Sequence, residues 1–124
     1  MDHHDYRVTG LVIGCAIAVH KALGPGLKEQ AYEIALCQEL RKNKIKFQSQ
    51  QHLKVSYEGT PVGTYIPDLI VEETVVVEIK SADRLSPVFV SQVLSYLKVT
   101  RLHVGIILNF KCAKMKDGIK RIVL

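Results

Sequence analysis

The stretch "YIPDLIVEETVVVEIK", residues 65–80, sets three charged side chains against two strongly apolar runs. "LIV" and "TVVV" read as interior strands, because short β-branched runs suit a sheet covered on both faces. Asp68 stands beside the first run, and Glu78 and Lys80 stand at the end of the second. A hairpin with the three-residue loop Glu72-Glu73-Thr74 would pair Val71 with Val75 and, in the same register, Asp68 with Glu78. Residues opposed in this way share a face at about 4.5 to 5.5 Å between Cβ atoms, where like charges repel. Lys80, two residues on from Glu78, points to that same face. A two- or four-residue loop would instead separate Asp68 and Glu78 onto opposite faces, and "EET" lacks the glycine that such loops favour.

A divalent cation gives two apposed carboxylates a purpose. Hard oxygen ligands completed by waters and phosphate oxygens are what Mg²⁺ takes, and a neighbouring ammonium orients or helps deprotonate a bound water. The pattern therefore suggests metal-assisted hydrolysis of a phosphodiester. The plainer reading is that Lys80 closes an ion pair with Asp68 or Glu78 where the strands meet water.

Working outward, "YRVTGLVIGCAIAVHKAL", residues 6–23, is apolar and rich in small residues until "GPG" at Gly24–Gly26 stops it, which predicts a buried first helix. "LKEQAYEIALCQELRKNK" follows with Leu27, Ala31, Ile34, Cys37 and Leu40 at helical spacing and a basic last turn, predicting an amphipathic second helix. In "HLKVSYEG" the period changes: Leu53, Val55 and Tyr57 alternate with polar residues ahead of a Glu58-Gly59 turn, as in a half-exposed strand of the same sheet entering a hairpin. Ser86-Pro87 opens a third helix, with Phe89, Val93 and Leu97 on one stripe and Gln92 and Tyr96 on its neighbour. "LHVGIILNF" then reads as a buried strand and "DGIKRIVL" as a turn and a last strand. The order is helix, helix, three strands, helix, two strands, an α/β sandwich on a mixed sheet.

The 124 residues suit one domain with one core, spanning the whole chain. With 48% hydrophobic and 23% charged residues, the composition excludes disordered and low-complexity classes. Seventeen Lys and Arg against twelve Asp and Glu leave +5, which fits a polyanionic partner and equally a solvated basic surface. Cys15, Cys37 and Cys112 lack the spacing of a zinc site or disulfide framework and read as buried, reduced thiols. "LVIGC" resembles a lipoprotein cleavage box, but "MDHHDYRVTG" before it carries two acids and too short an apolar run for a signal peptide. The expectation is a soluble, cytoplasmic protein with no membrane span. Only 6% of residues are aromatic, which argues against a stacking platform for single strands.

Pro67-Asp68 followed by Glu78-Ile79-Lys80 resembles the motif of the PD-(D/E)XK nuclease superfamily, and the element order is similar to its αβββαβ core. "GLKEQAY", residues 26–32, further resembles the GxxExxY family placed in that superfamily, as do "VHKALGPG", "YLK", Asn109-Phe110 and "DGIKRIV". The resemblance covers nearly the whole chain. It implies a restriction-endonuclease-like sandwich, a central mixed sheet flanked by helices. It also implies Mg²⁺ or Mn²⁺ held by Asp68, Glu78 and the Ile79 carbonyl, with Lys80 positioning the attacking water and Glu29 as an additional acid. Gln92 and Tyr96 resemble a Q-x-x-x-Y element that lies beside the active centre in some of these nucleases. Each has a bland alternative: Glu29 as a first-turn helix acid, Gln92 and Tyr96 as a link from helix to sheet. Tyr32 reads as a core aromatic, His20 as a hydrogen-bonded structural histidine, and His3 and His4 as a solvated terminus.

The function expected is a divalent-metal-dependent nuclease acting on DNA or RNA. The alternative is a catalytically silent module of the same fold, for nucleic-acid binding or protein assembly. The chain is small for a self-sufficient nuclease, which leaves a homodimer open.

Overall fold

A computed structural model describes residues 1–124. Three helices, α1 (His3–Leu23), α2 (Glu29–Lys42) and α3 (Pro87–Thr100), accompany seven strands. These are β1 (Phe47–Ser49), β2 (Leu53–Tyr57), β3 (Thr60–Tyr65), β4 (Leu69–Val71), β5 (Val75–Lys80), β6 (Val104–Asn109) and β7 (Ile119–Val123). The central sheet runs β1-β4-β5-β6-β7, and β2 and β3 form a separate two-stranded ribbon. Only β5 and β6 are parallel, joined through α3; the other pairs are antiparallel. The sheet is thus mixed, flanked by helices, as expected of a restriction-endonuclease-like fold.

The period-2 geometry of the strands sorts the core. Val75, Val77 and Ile79 of β5 face α1 and α2, together with Leu69, Val71, Ile106 and Leu108. Val76 faces α3, together with Ile70, Ile107, Val93, Tyr96 and Leu97. Glu78 and Lys80 share the parity of Val76 and so belong to the α3 side. The register is Val71 with Val75, Ile70 with Val76 and Leu69 with Val77, so the ladder ends one step short of Asp68 and Glu78, which meet through the Asp68 N–H and the Glu78 carboxyl. The loop closes without glycine: Glu72 and Glu73 both take φ 52°, and Thr74 donates its N–H to the Val71 carbonyl and its hydroxyl to the Glu72 carbonyl. Two successive positive φ values are what a tight hairpin turn demands, and here hydrogen bonds from Thr74 hold them.

Several expectations need correction. The half-exposed strand at Leu53–Tyr57 does form a hairpin, but with β3 outside the central sheet. The third antiparallel partner is β1, an edge strand opposite β4 that at three residues is too short to carry an alternating signal. Pro67 interrupts "YIPDLIV", so Tyr65 ends β3 and β4 begins at Leu69. In α2 the buried stripe is Tyr32, Leu36 and Leu40, with Cys37 beside it, whereas Ile34 is 61% exposed. Stacking at i, i+4 and i+8 along the face that meets α1 and the sheet wins over the apolar character of Ile34. Helix α1 starts earlier than its apolar run, because Asp2 and Asp5 form a reciprocal capping box. His3 and His4 therefore lie in its first turn, and His4 Nε2 reaches Thr74 Oγ1 at 3.0 Å. Cys15 and Cys37 are buried, but Cys112 is only half-buried; none is disulfide-bonded.

No membrane span was expected, yet α1 is long and apolar enough to cross one, with a mean hydropathy of 1.3. Its packing assigns it otherwise. Val8, Val12, Cys15, Ala16 and Val19 form a stripe buried in the core beneath the sheet.

Candidate active site

Beyond Val77, β5 loses β4 as a neighbour while keeping β6 on its other side as far as Lys80. Asp68 and Glu78 replace the missing ladder with side chains. Asp68 Oδ2 accepts the Ile79 N–H at 2.8 Å, and Glu78 Oε1 accepts the Asp68 N–H at 2.9 Å. In an extended strand the N–H and C=O of one residue point to the same side. The Ile79 carbonyl therefore opens toward Asp68.

Glu78 is 3% exposed, and burial first, then the Asp68 carboxylate, pushes its carboxyl up to about 8. The Asp68 N–H and Lys80 offset this only in part. Lys80 Nζ stands 3.8 Å from Glu78 Oε2, donates to Gln92 Oε1 at 3.3 Å and lies 4.5 Å above the Phe89 ring. Gln92 Nε2 in turn donates to the Tyr96 hydroxyl at 3.2 Å. Helical spacing aligns Gln92 and Tyr96 on the face of α3 that meets the sheet, so Lys80, Gln92 and Tyr96 form one polar chain. Burial, followed by the Glu78 charge, raises the Tyr96 phenol. The hydroxyl therefore stays protonated and available to donate.

The two acids on the first turns of α2 differ in their surroundings. Glu29 is exposed, and its Oε1 accepts the Ser81 N–H at 3.3 Å, just past Lys80. Glu33 is half-buried, and its carboxyl is raised by burial and by the nearby Asp68 carboxylate. Gln50 restrains it, donating Nε2 to both Glu33 oxygens at 3.1 and 3.0 Å. Sequence reasoning missed both residues. The i, i+4 spacing from Glu29 could have pointed to Glu33, whereas nothing in "FQSQQ" marks Gln50.

The other landmarks hold the scaffold. The Tyr32 hydroxyl donates to the Gly24 carbonyl and accepts from the Leu27 N–H at 3.0 Å, and its ring stacks on Phe110 at 4.4 Å. His20 Nε2 reaches the Cys112 carbonyl at 2.8 Å, which makes it structural. The Asn109 side chain bonds both backbone groups of Ala82 and fixes the loop that leaves β5.

This donor set suits a hard divalent cation. Asp68 Oδ1 accepts no hydrogen bond, Glu78 Oε2 has only the distant Lys80, and a carbonyl opens beside them. No three His, Cys, Asp or Glu side chains converge as a ready-made ligand group. That is compatible with Mg²⁺, which commonly binds through one or two carboxylates and keeps several waters.

No curated protein and no solved structure matches the chain. The profile of the PD-(D/E)XK nuclease superfamily, by contrast, matches residues 6–122, which takes in every residue of this site. The chain belongs to the PD-(D/E)XK nuclease superfamily.

Proposed function

We propose that the protein is a nuclease that hydrolyses phosphodiester bonds of nucleic acid with Mg²⁺ or Mn²⁺. The observation that carries this reading is the interlocked Asp68–Glu78 pair at the open end of β5, with Lys80 on the same face. Asp68, Glu78 and the Ile79 carbonyl would hold the cation. When bound, it would supply Lewis-acid charge at the phosphate.

Lys80 is held from three sides, so its N–H groups meet a nonbridging phosphate oxygen or the attacking water without first having to be ordered. Gln92 and Tyr96 fix Lys80 from α3. Glu33 takes the additional acidic role, and Glu29 fastens the backbone after Lys80. Within the superfamily we place the chain with the GxxExxY proteins. Gly26, Glu29 and Tyr32 support this, since the Tyr32 hydroxyl ties α2 to the Gly24–Leu27 loop.

Calorimetric titration of Mn²⁺ into wild type, Asp68→Ala and Glu78→Ala, followed by incubation with DNA and RNA, tests the proposal. Wild type binds and cleaves, and each variant loses at least about a hundredfold in both, beyond what supporting partners of a metal site usually cost. Unchanged binding and cleavage in either variant would sink the assignment.

A second reading is a silent nuclease fold that binds nucleic acid or assembles with another subunit. The lack of a converging three-ligand group favours it. It predicts affinity that falls steeply with salt, with or without metal, and no cleavage.

A further inference from the structure

Glu33 is half-buried beside a second carboxylate, and no cation accompanies it. The two salt bridges of the molecule are Lys80–Glu78 and Lys111–Asp83. Its side-chain hydrogen bonds come from one group, the Gln50 amide, which spans both of its oxygens. The same Gln50 donates its backbone N–H to the Asp68 carbonyl at 3.0 Å, extending the β1–β4 ladder one residue beyond Ser49 and Leu69. At φ 55° Gln50 leaves the path of the strand. Its neighbours Gln48 and Gln51 make no comparable bond to a carboxylate.

We infer that Gln50 is a positioning residue of the acidic site: its side chain holds Glu33 toward Asp68 while its backbone fixes Asp68. The inference rests on the nuclease reading, in which Glu33 serves the cation site. The choice of an amide follows from charge. A Lys or Arg would hold Glu33 equally well but would cancel the negative potential a cation needs, whereas a neutral donor orients the carboxylate and leaves its charge in place.

Gln50→Asn isolates the side chain. Asparagine tolerates positive φ and keeps the backbone N–H, but its amide is one methylene too short for Glu33. Mn²⁺ affinity by calorimetry and kcat for cleavage are compared in wild type, Gln50→Asn, Glu33→Gln and the double variant, with Tm measured alongside. Gln50→Asn is expected to lose about tenfold in Mn²⁺ affinity at unchanged Tm, the usual cost of removing a group that orients a metal-site acid. The double variant is expected to be no worse than Glu33→Gln alone, because Gln50 acts through Glu33.

Wild-type affinity in Gln50→Asn, or losses that multiply in the double variant, overturn the inference. In metal-free protein, Glu33→Gln should shift the Gln50 side-chain amide resonance and Glu29→Gln should not; no shift in either overturns the contact itself. Full Mn²⁺ binding by Asp68→Ala and Glu78→Ala refutes the nuclease reading instead, and the amide resonance then judges the Gln50–Glu33 contact separately.

Discussion

The two halves of β5 have the same backbone and opposite tasks. Val75–Val77 lies between β4 and β6 and is buried on both faces. Glu78–Lys80 keeps β6 but has side chains, Asp68 above all, where a strand would be. The closed half removes apolar surface from water and stabilises the fold. The open half holds a buried carboxylate next to another, an arrangement that costs stability unless something neutralises it. Such a cost is expected where a site is organised for a cation.

The largest effect that would break this contrast belongs to the open half. Glu78→Ala is expected to abolish metal-dependent cleavage by at least about a hundredfold while the protein stays folded; unfolding by circular dichroism would show that both halves are structural.

In the closed half, Val77→Ala removes two buried methyl groups and leaves a small cavity, a loss of about 2 kcal/mol. A Tm lowered by roughly 5 to 10 °C with Mn²⁺ affinity unchanged in the folded fraction supports the division of labour. An equal loss of metal affinity would merge the two halves.

Proton linkage sharpens the comparison next. The folded carboxyl of Glu78 sits near 8 against about 4.5 unfolded, so the native state binds more protons across that window. Stability therefore falls as pH rises from about 5 to about 8. Melting of the metal-free protein in EDTA should show this decline, Glu78→Gln should flatten it, and a slope that survives the substitution would place its source elsewhere.

The smallest effect concerns Glu29, outside the pair. Glu29→Gln keeps an oxygen for the exposed Ser81 N–H, so Mn²⁺ affinity and Tm should change by less than about twofold and about 2 °C respectively. A tenfold loss in affinity would return Glu29 to the acidic site in place of Glu33.

Much of the scaffold was legible because it depends on local rules. Ser86 caps α3, its Oγ accepting the Val88 N–H with Pro87 next in line. The apolar runs of β4, β5 and β6 could satisfy their composition only inside a sheet. The hairpin register followed from the count of residues between two runs, and that count brought Asp68 to Glu78. Strand β1 was not legible, because three residues are too few to show a period and become a strand only when β4 offers them a ladder. The ribbon of β2 and β3 carried a clear strand signal, but period 2 does not say which sheet a strand joins.

The sequence by itself determined the mixed sheet, the β4–β5 register and the meeting of Asp68 with Glu78, since these follow from periodicity and short-range pairing. Only the tertiary structure decided that Glu33 lies near Asp68, that Gln50 holds it, that Glu29 reaches the Ser81 N–H, and that Gln92 and Phe89 hold Lys80. These contacts join residues from 9 to 52 positions apart, and their geometry depends on how α2 and α3 rotate as they pack on opposite faces of the sheet. Helix rotation is set by which stripe is buried, and that stripe is chosen by the surface it meets.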